Sequence, residues 1–167
     1  DERGGLLNNI LSMLSIPGQP WLTSARLVIP SLLLLALWRW VGINIIYFLS
    51  GLTTIPSELY EAAEIDGANG FHKFRFITAP LLKPVAVFVL IISTIGGYQL
   101  FSEVYILWAQ GGTPGNAGLT LALYLYRQAF RTFDLGYAGV LGVMMGLIIM
   151  VISLIQFKFF GFFRDVE

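Results

Sequence analysis

Cysteine is absent from the 167 residues, and charge is scarce: 12% of the chain is Asp, Glu, Lys or Arg, about half of the roughly 25% usual in soluble domains. The first absence excludes disulfide frameworks, thiol nucleophiles and cysteine metal sites. The single histidine, His72, has no co-ligands for a metal and reads as a solvated loop residue. Ten basic residues balance ten acidic ones, so no basic face marks nucleic acid as a partner. The chain starts at Asp1 without a Met, and its first residues lack the charged, apolar and cleavable regions of a signal peptide. An incomplete chain is expected.

What is present is apolar: 56% hydrophobic residues and a mean hydropathy of +0.76. A bilayer core about 30 Å thick takes roughly 20 apolar helical residues. Three stretches suffice: 27–52, 85–108 and 137–160. The expected fold is therefore an all-α membrane protein, a helical bundle with three transmembrane helices in this stretch of chain. Residues 109–136 begin with Gly/Pro/Asn turn chemistry and continue into a short helix, Leu119 to Phe130. That helix is too short to span and is expected at the outer membrane surface or on the bundle, as is the N-terminal "GLLNNILSMLSIPGQPWL". Cation bias sets five residues (Lys73, Arg75, Lys83, Lys158, Arg164) on the side of residues 53–84 and the C-terminus, against Arg3, Arg26, Arg127 and Arg131 on the other. The margin of one places the first side in the cytoplasm.

Small residues recur every four positions in the third span, at Ala138, Gly142 and Gly146, a spacing that lets helix backbones approach in lipid. Gly96 and Gly97 in the second span admit two readings, a local helix break or close packing.

"ELYEAAEIDGANGFHKFRFITAPLLKP", residues 58–84, interrupts these runs. Ser57 can cap a helix carrying Glu58, Glu61, Glu64 and Asp66, with Leu59, Ala62 and Ala63 on another face. Gly67 ends it in the left-handed region. A second helix from Phe71 aligns Phe71, Phe74, Thr78 and Leu81 and then runs into Pro80 and Pro84. The expected product is an αα-hairpin of about twenty residues. Two roles fit it equally: an interfacial pair sealing the base of the bundle, or a knob that docks into a groove of a soluble partner and offers it Glu61.

"EAAEIDG", followed nine residues later by "ITAP", resembles the EAA signature of permease subunits of binding-protein-dependent ABC importers. Glu61, Ala62, Ala63, Gly67, Ile77 and Pro80 match it, and Ala79 stands where the family has leucine. "GLTTIPSELYEAAEIDGA", "FSEVYILWAQGGTP" and "TLALYLYRQAFRTFDLGYA" resemble the carbohydrate-uptake branch, which includes maltose and lactose permeases. The resemblance runs from about Gly5 to Phe160. It implies that the N-terminal half of the usual domain is missing, and that residues 56–84 are a cytoplasmic coupling loop. Glu61, Ala62, Ala63, Asp66, Gly67, Phe71 and Phe74 would then meet an ATP-binding subunit, one of a pair. A second permease subunit, an extracytoplasmic sugar-binding protein and membrane lipid complete the implied partners, in a bacterial or archaeal inner membrane. ATP and Mg belong to the partner subunits: "GGTPG" lacks the G-K-[ST] of a phosphate loop. The chain itself is expected to bind no cofactor and to catalyse nothing.

Ionisable residues inside spans are costly and point to function. Arg39, in "WRW", and Glu103, in "FSEVY", lie in the outer halves of the expected spans. Aromatic rings stack on sugars and polar groups bond their hydroxyls. With the resemblance placing substrate contacts in these spans, the pathway candidates are Trp40, Asn44, Tyr98, Gln99, Glu103 and Arg39. Arg39 can equally snorkel to headgroups or pair with Glu103. A different class, an ion-coupled secondary carrier relaying charge through Arg39 and Glu103, uses the same residues. Within the importer class, glycerol phosphates and polyols are alternative substrates. An intramembrane enzyme has no support, since no span holds paired carboxylates, a histidine or a nucleophile with its base.

Overall fold

The structure, a computed structural model, describes residues 5–108 and 112–160. Arg3 and Arg164 of the charge count lie outside the described residues. Every regular element among the described residues is helical, as the apolar composition requires of a chain that must satisfy its own backbone in lipid. Residues through Trp38 together with Tyr98–Gly146 form one compact unit, and Arg39–Gly97 with residues from Leu147 onward form the other.

Three helical runs are long and apolar enough to cross a membrane: Ala25–Thr53, Gly70–Tyr98 and Leu135–Phe159. The first, α2 (Ala25–Thr53), and the last, α8 (Leu135–Phe159), lie within two residues of the expected 27–52 and 137–160. The middle run differs. It starts at Gly70, where the Asn69 side chain accepts from the His72 amide at 2.9 Å, and stops at Tyr98. The expected 85–108 is therefore shifted toward the N-terminus. Hydropathy discounts residues 70–84 because Lys73, Arg75 and Lys83 fall there, yet their backbone is already helical.

Within the first unit, α1 (Leu6–Met13) is tied back by Asn8. Its Oδ1 accepts from the Gln19 amide at 3.0 Å and from Trp21 Nε1 at 2.7 Å. The polar residue is thus buried while Leu6, Ile10 and Met13 face outward. The core joins the start of α2 to α6 (Ser102–Leu107) and α7 (Leu121–Phe130) through Val28, Leu32, Val104, Trp108 and Leu123. Trp108 donates its indole N–H to the Leu22 carbonyl at 2.7 Å. Thr120 caps α7, accepting from the Leu123 amide at 3.2 Å, and donates to the Leu100 carbonyl at 2.6 Å. That second bond serves a carbonyl released where the middle run stops, since Phe101, at φ −126° and ψ −56°, is not helical. The short helix begins at Leu121, two residues after the expected Leu119.

Within the second unit, α2 meets α5 (Ala79–Tyr98) in antiparallel register. A Cβ on Gly96 would stand 2.7 Å from the Trp40 ring, Tyr47 and Phe88 meet edge-on at 5.3 Å, and a Cβ on Gly51 would lie 2.7 Å from Val85. The residue numbers rise on one helix as they fall on the other. Gly96 thus serves close packing; α5 runs through Gly96 and Gly97 without a break, and the break follows at residues 99–101. From α8, Gln156 donates to Thr94 Oγ1 of α5 at 2.8 Å.

The small-residue stripe of α8 is used selectively. Ala138 is buried, and a Cβ on Gly142 would touch Leu125 at 3.4 Å, while Gly146 has open space around it.

Candidate coupling loop and pathway residues

The loop is built from α3 (Ser57–Ile65) and α4 (Gly70–Lys73), the latter continuing through a π-helical turn (Phe74–Thr78) into α5. Ser57, expected as the cap, is the first helical residue. Pro56 takes the cap position in extended conformation, without a side-chain bond, its fixed φ suited to a helix entry. The second helix of the hairpin is not a separate element but the beginning of the middle run. Pro80 and Pro84 do not end it, because neighbouring groups can satisfy the carbonyls a proline frees in such helices.

Gly67 has φ +79°, and its surroundings make the motif spacing intelligible. The Ala68 amide donates to the Ala63 carbonyl at 2.8 Å and the Gly67 amide to the Glu64 carbonyl at 3.0 Å. This is a Schellman closure with Gly67 at C′ and Ala63 at C3. The four-residue step from Ala63 to Gly67 is therefore the step from the third-last helical position to the left-handed residue that closes the helix. A Cβ at Gly67 would meet nothing within 4 Å, so backbone conformation alone selects glycine there.

Closure leaves a particular surface. Glu58, Glu61, Glu64 and Asp66 are all exposed. So are Phe71 and Phe74, and Ile65 is 88% exposed. Ala62 is exposed and Ala63 half-buried; their small side chains keep the backbone approachable. Ile65 was not among the residues expected to matter, being hidden in sequence between Glu64 and Asp66.

Two side-chain links across the turn also escaped sequence reasoning. Tyr60 Oη and Thr78 Oγ1 are 2.9 Å apart, and Lys73 Nζ forms an ion pair with Glu64 Oε1. The Lys73 hydrogen bond, then its charge, hold the Glu64 carboxyl below its ordinary value of 4.5. Neither link follows a motif, but both join positions that an antiparallel hairpin places opposite one another. His72 is exposed, as expected, and sits in a helix with Nδ1 2.9 Å from Asn69 Oδ1.

The pathway candidates divide between the units. In the second, Trp40 is half-buried over Gly96, the Arg39 guanidinium lies 5.8 Å from the Trp40 ring centroid, and Asn44 is half-buried one helical turn on. In the first, Tyr98 ends α5, Gln99 is exposed in the break, and Glu103 is buried in the first turn of α6, 9% exposed. Glu103 therefore does not lie inside a long span as expected; it follows the break. Beside it, Phe101, Tyr105, Tyr126 and Phe130 form a chain of ring contacts with centroids 5.0–5.3 Å apart.

Comparison with known proteins places this architecture. The chain is 50% identical over 159 residues to an arabinooligosaccharides transport system permease protein of Bacillus subtilis, covering 95% of this chain and 50% of that protein. It is 41% identical to a lactose transport system permease protein of Rhizobium radiobacter (92% and 52% covered) and 33% identical to a trehalose/maltose transport system permease protein of Thermococcus litoralis (96% and 54%). The chain thus spans about half the length of the curated relatives it matches. Its fold matches a chain in the crystal structure of a bacterial ABC transporter involved in the import of the acidic polysaccharide alginate, with a TM-score of 0.80 at 23% identity, over 99% of this chain and 56% of that one. Residues 6–163 match the family model of the binding-protein-dependent transport system inner membrane component, and the chain belongs to that family.

Proposed function

We propose that the chain forms part of the translocation pathway of an ATP-driven sugar importer and couples it, through residues 56–84, to an ATP-binding subunit. The observation that carries the coupling role is the surface of α3 and its turn. An exposed acidic row with Glu61 stands next to exposed Ile65, Phe71 and Phe74, on a short helix closed at Gly67. Acidic and aromatic groups side by side suit a mixed groove on a soluble partner better than a lipid surface, where the polar face of an interfacial helix is typically rich in Lys and Arg, not in carboxylates.

The chain itself catalyses nothing in this scheme. ATP and Mg are bound by a pair of partner subunits, and a second permease subunit and an extracytoplasmic sugar-binding protein complete the assembly in the inner membrane of a bacterium or archaeon. The coupling loop and C-terminus face the cytoplasm. Closure of the ATP-binding subunits moves the helices attached to the loop and alternates access. The relatives named for arabinooligosaccharides, lactose and trehalose/maltose make a neutral oligosaccharide the first substrate to test. Trp40, Asn44, Tyr98, Gln99, Glu103 and Arg39 are its candidate contacts.

The test is reconstitution of the full-length protein with its partner subunits in proteoliposomes. Glu61→Arg is expected to leave the membrane helices folded while abolishing ATP-dependent uptake of arabinotriose, maltose or lactose. Uptake and ATP hydrolysis unchanged by Glu61→Arg would exclude the docking role. Uptake that persists without ATP and collapses with the ion gradient would replace the importer by a secondary carrier.

A further inference from the structure

The turn joining α3 to the middle run, residues 66–69, is four residues long, and by itself it would bend under load. A push on α3 would be absorbed in its dihedral angles before reaching α5. Two links bypass it. Tyr60 and Glu64 stand one turn apart on one face of α3, and their partners are Thr78 and Lys73. Tyr60 with Thr78, then Glu64 with Lys73, follow the descending register of an antiparallel pair.

The partner positions are five residues apart. In an α-helix of 3.6 residues per turn such positions are rotated by about 140° from one another and could not both face α3. Between them lies the π-helical turn, Phe74–Thr78, in which the Ala79 amide donates five residues back to the Phe74 carbonyl. Its wider turn brings Lys73 and Thr78 toward one side. Thr78 Oγ1 also lies 3.5 Å from the Lys73 carbonyl. Pro80 follows after Ala79; having no N–H, it cannot close an α-type bond to the Phe76 carbonyl, which favours a wider turn there.

We propose that the Tyr60–Thr78 and Glu64–Lys73 links form a two-point brace, aligned by the π turn, that makes α3 and the start of the middle run one rigid lever. This rests on the coupling role proposed above. Tyr60, Thr78, Glu64 and Lys73 are positioning residues in this scheme: they act through one another, and they determine how much of the displacement of α3 reaches α5. Lys73 is the better held end of its pair, its side chain 18% exposed against 67% for Glu64.

The experiment uses the complete transporter in proteoliposomes with arabinotriose, and the variants Tyr60→Phe, Thr78→Val, Glu64→Lys, Lys73→Glu and the Glu64→Lys/Lys73→Glu exchange. Tyr60→Phe, Thr78→Val and Lys73→Glu are each expected to retain the ATP-binding subunits and to lower sugar imported per ATP hydrolysed by at least about twofold, the lower limit for residues in direct contact. Glu64 also belongs to the acidic docking row, so Glu64→Lys and the charge exchange are read in the turn itself, where the exchange is expected to recover most of the rigidity that Lys73→Glu loses. Rigidity is read without any substrate from amide hydrogen exchange at Gly67 and Ala68, expected to quicken by a similar factor in Tyr60→Phe and in Lys73→Glu. Exchange in the turn that is unchanged in both variants overturns the brace, as does a charge exchange no better than its single members. Failure of the coupling role itself looks different: the unmodified protein then retains no ATP-binding subunit, whatever the turn does.

Discussion

Gly96 lies directly beneath the indole of Trp40: a Cβ there would sit 2.7 Å from Trp40 Cζ2 and 2.8 Å from Cη2. The intruding atoms belong to a rigid ring, so the helices must separate or Trp40 must leave its rotamer. Overpacking of this kind costs about 1–3 kcal/mol. Gly96→Ala is therefore expected to lower the thermal unfolding midpoint of the detergent-solubilised protein, and adding Trp40→Phe to recover part of the loss. Gly97 is the control. Nothing lies within 4 Å of its added Cβ, and Gly97→Ala should be neutral or stabilising by up to about 1 kcal/mol.

Gly67 is constrained differently, by its φ of +79° in open space. An L-residue with a Cβ pays about 1–2 kcal/mol there, and asparagine pays least. Gly67→Ala is expected to fray the end of α3, quickening proteolysis at residues 66–69, while Gly67→Asn stays close to the parent. Equal proteolysis of the alanine and asparagine variants would mean that the Schellman closure does not hold the turn.

The Glu64–Lys73 pair gives the loop a pH dependence. Lys73 depresses the folded-state pKa of Glu64 below 4.5, so the unfolded carboxyl binds the proton more readily than the folded one. The pair's contribution is fully present above 4.5 and is lost as the pH falls through the depressed folded value. Amide exchange in the turn, corrected for its intrinsic pH dependence, should therefore quicken relative to neutral pH only below 4.5. Glu64→Gln should abolish that change. A transition that persists in the glutamine variant would exclude the Glu64–Lys73 pair as its cause.

How much of this was legible in the sequence depended on whether a signal was local. Glu61 to Gly67 lie within two helical turns, and the Schellman closure is a local rule, so helix and turn were readable from residue types. The limits of the middle run were not. Hydropathy is continuous from Val85 to Trp108 because Leu100, Phe101 and Val104 are apolar, but their burial is in the other unit, around Trp108 and Leu123. Hydropathy registers burial without saying in what. The two glycines admitted a break or close packing, and residue types alone could not choose between them, because the need for glycine at 96 arises from Trp40, fifty-six positions away in the chain. Tyr60–Thr78 was invisible for a similar reason: without the π turn, Thr78 shares no face with Lys73.

The break itself can be tested at Thr120, whose hydroxyl serves both ends of a connection. It accepts from the Leu123 amide, capping α7, and donates to the Leu100 carbonyl, just past the end of α5. Thr120→Ala removes the cap, about 1 kcal/mol, and leaves a half-buried carbonyl without that donor, about 1–3 kcal/mol more. Thr120→Ser keeps both bonds and should cost little, and Thr120→Val, matched to threonine in shape, should behave as alanine does. The measurement is thermal unfolding in detergent together with exchange of the α7 amides. Were serine as damaging as alanine, the methyl group and not the hydroxyl would be holding the connection, and the polar tether between Leu100 and α7 would have to be abandoned as what secures the break after Tyr98.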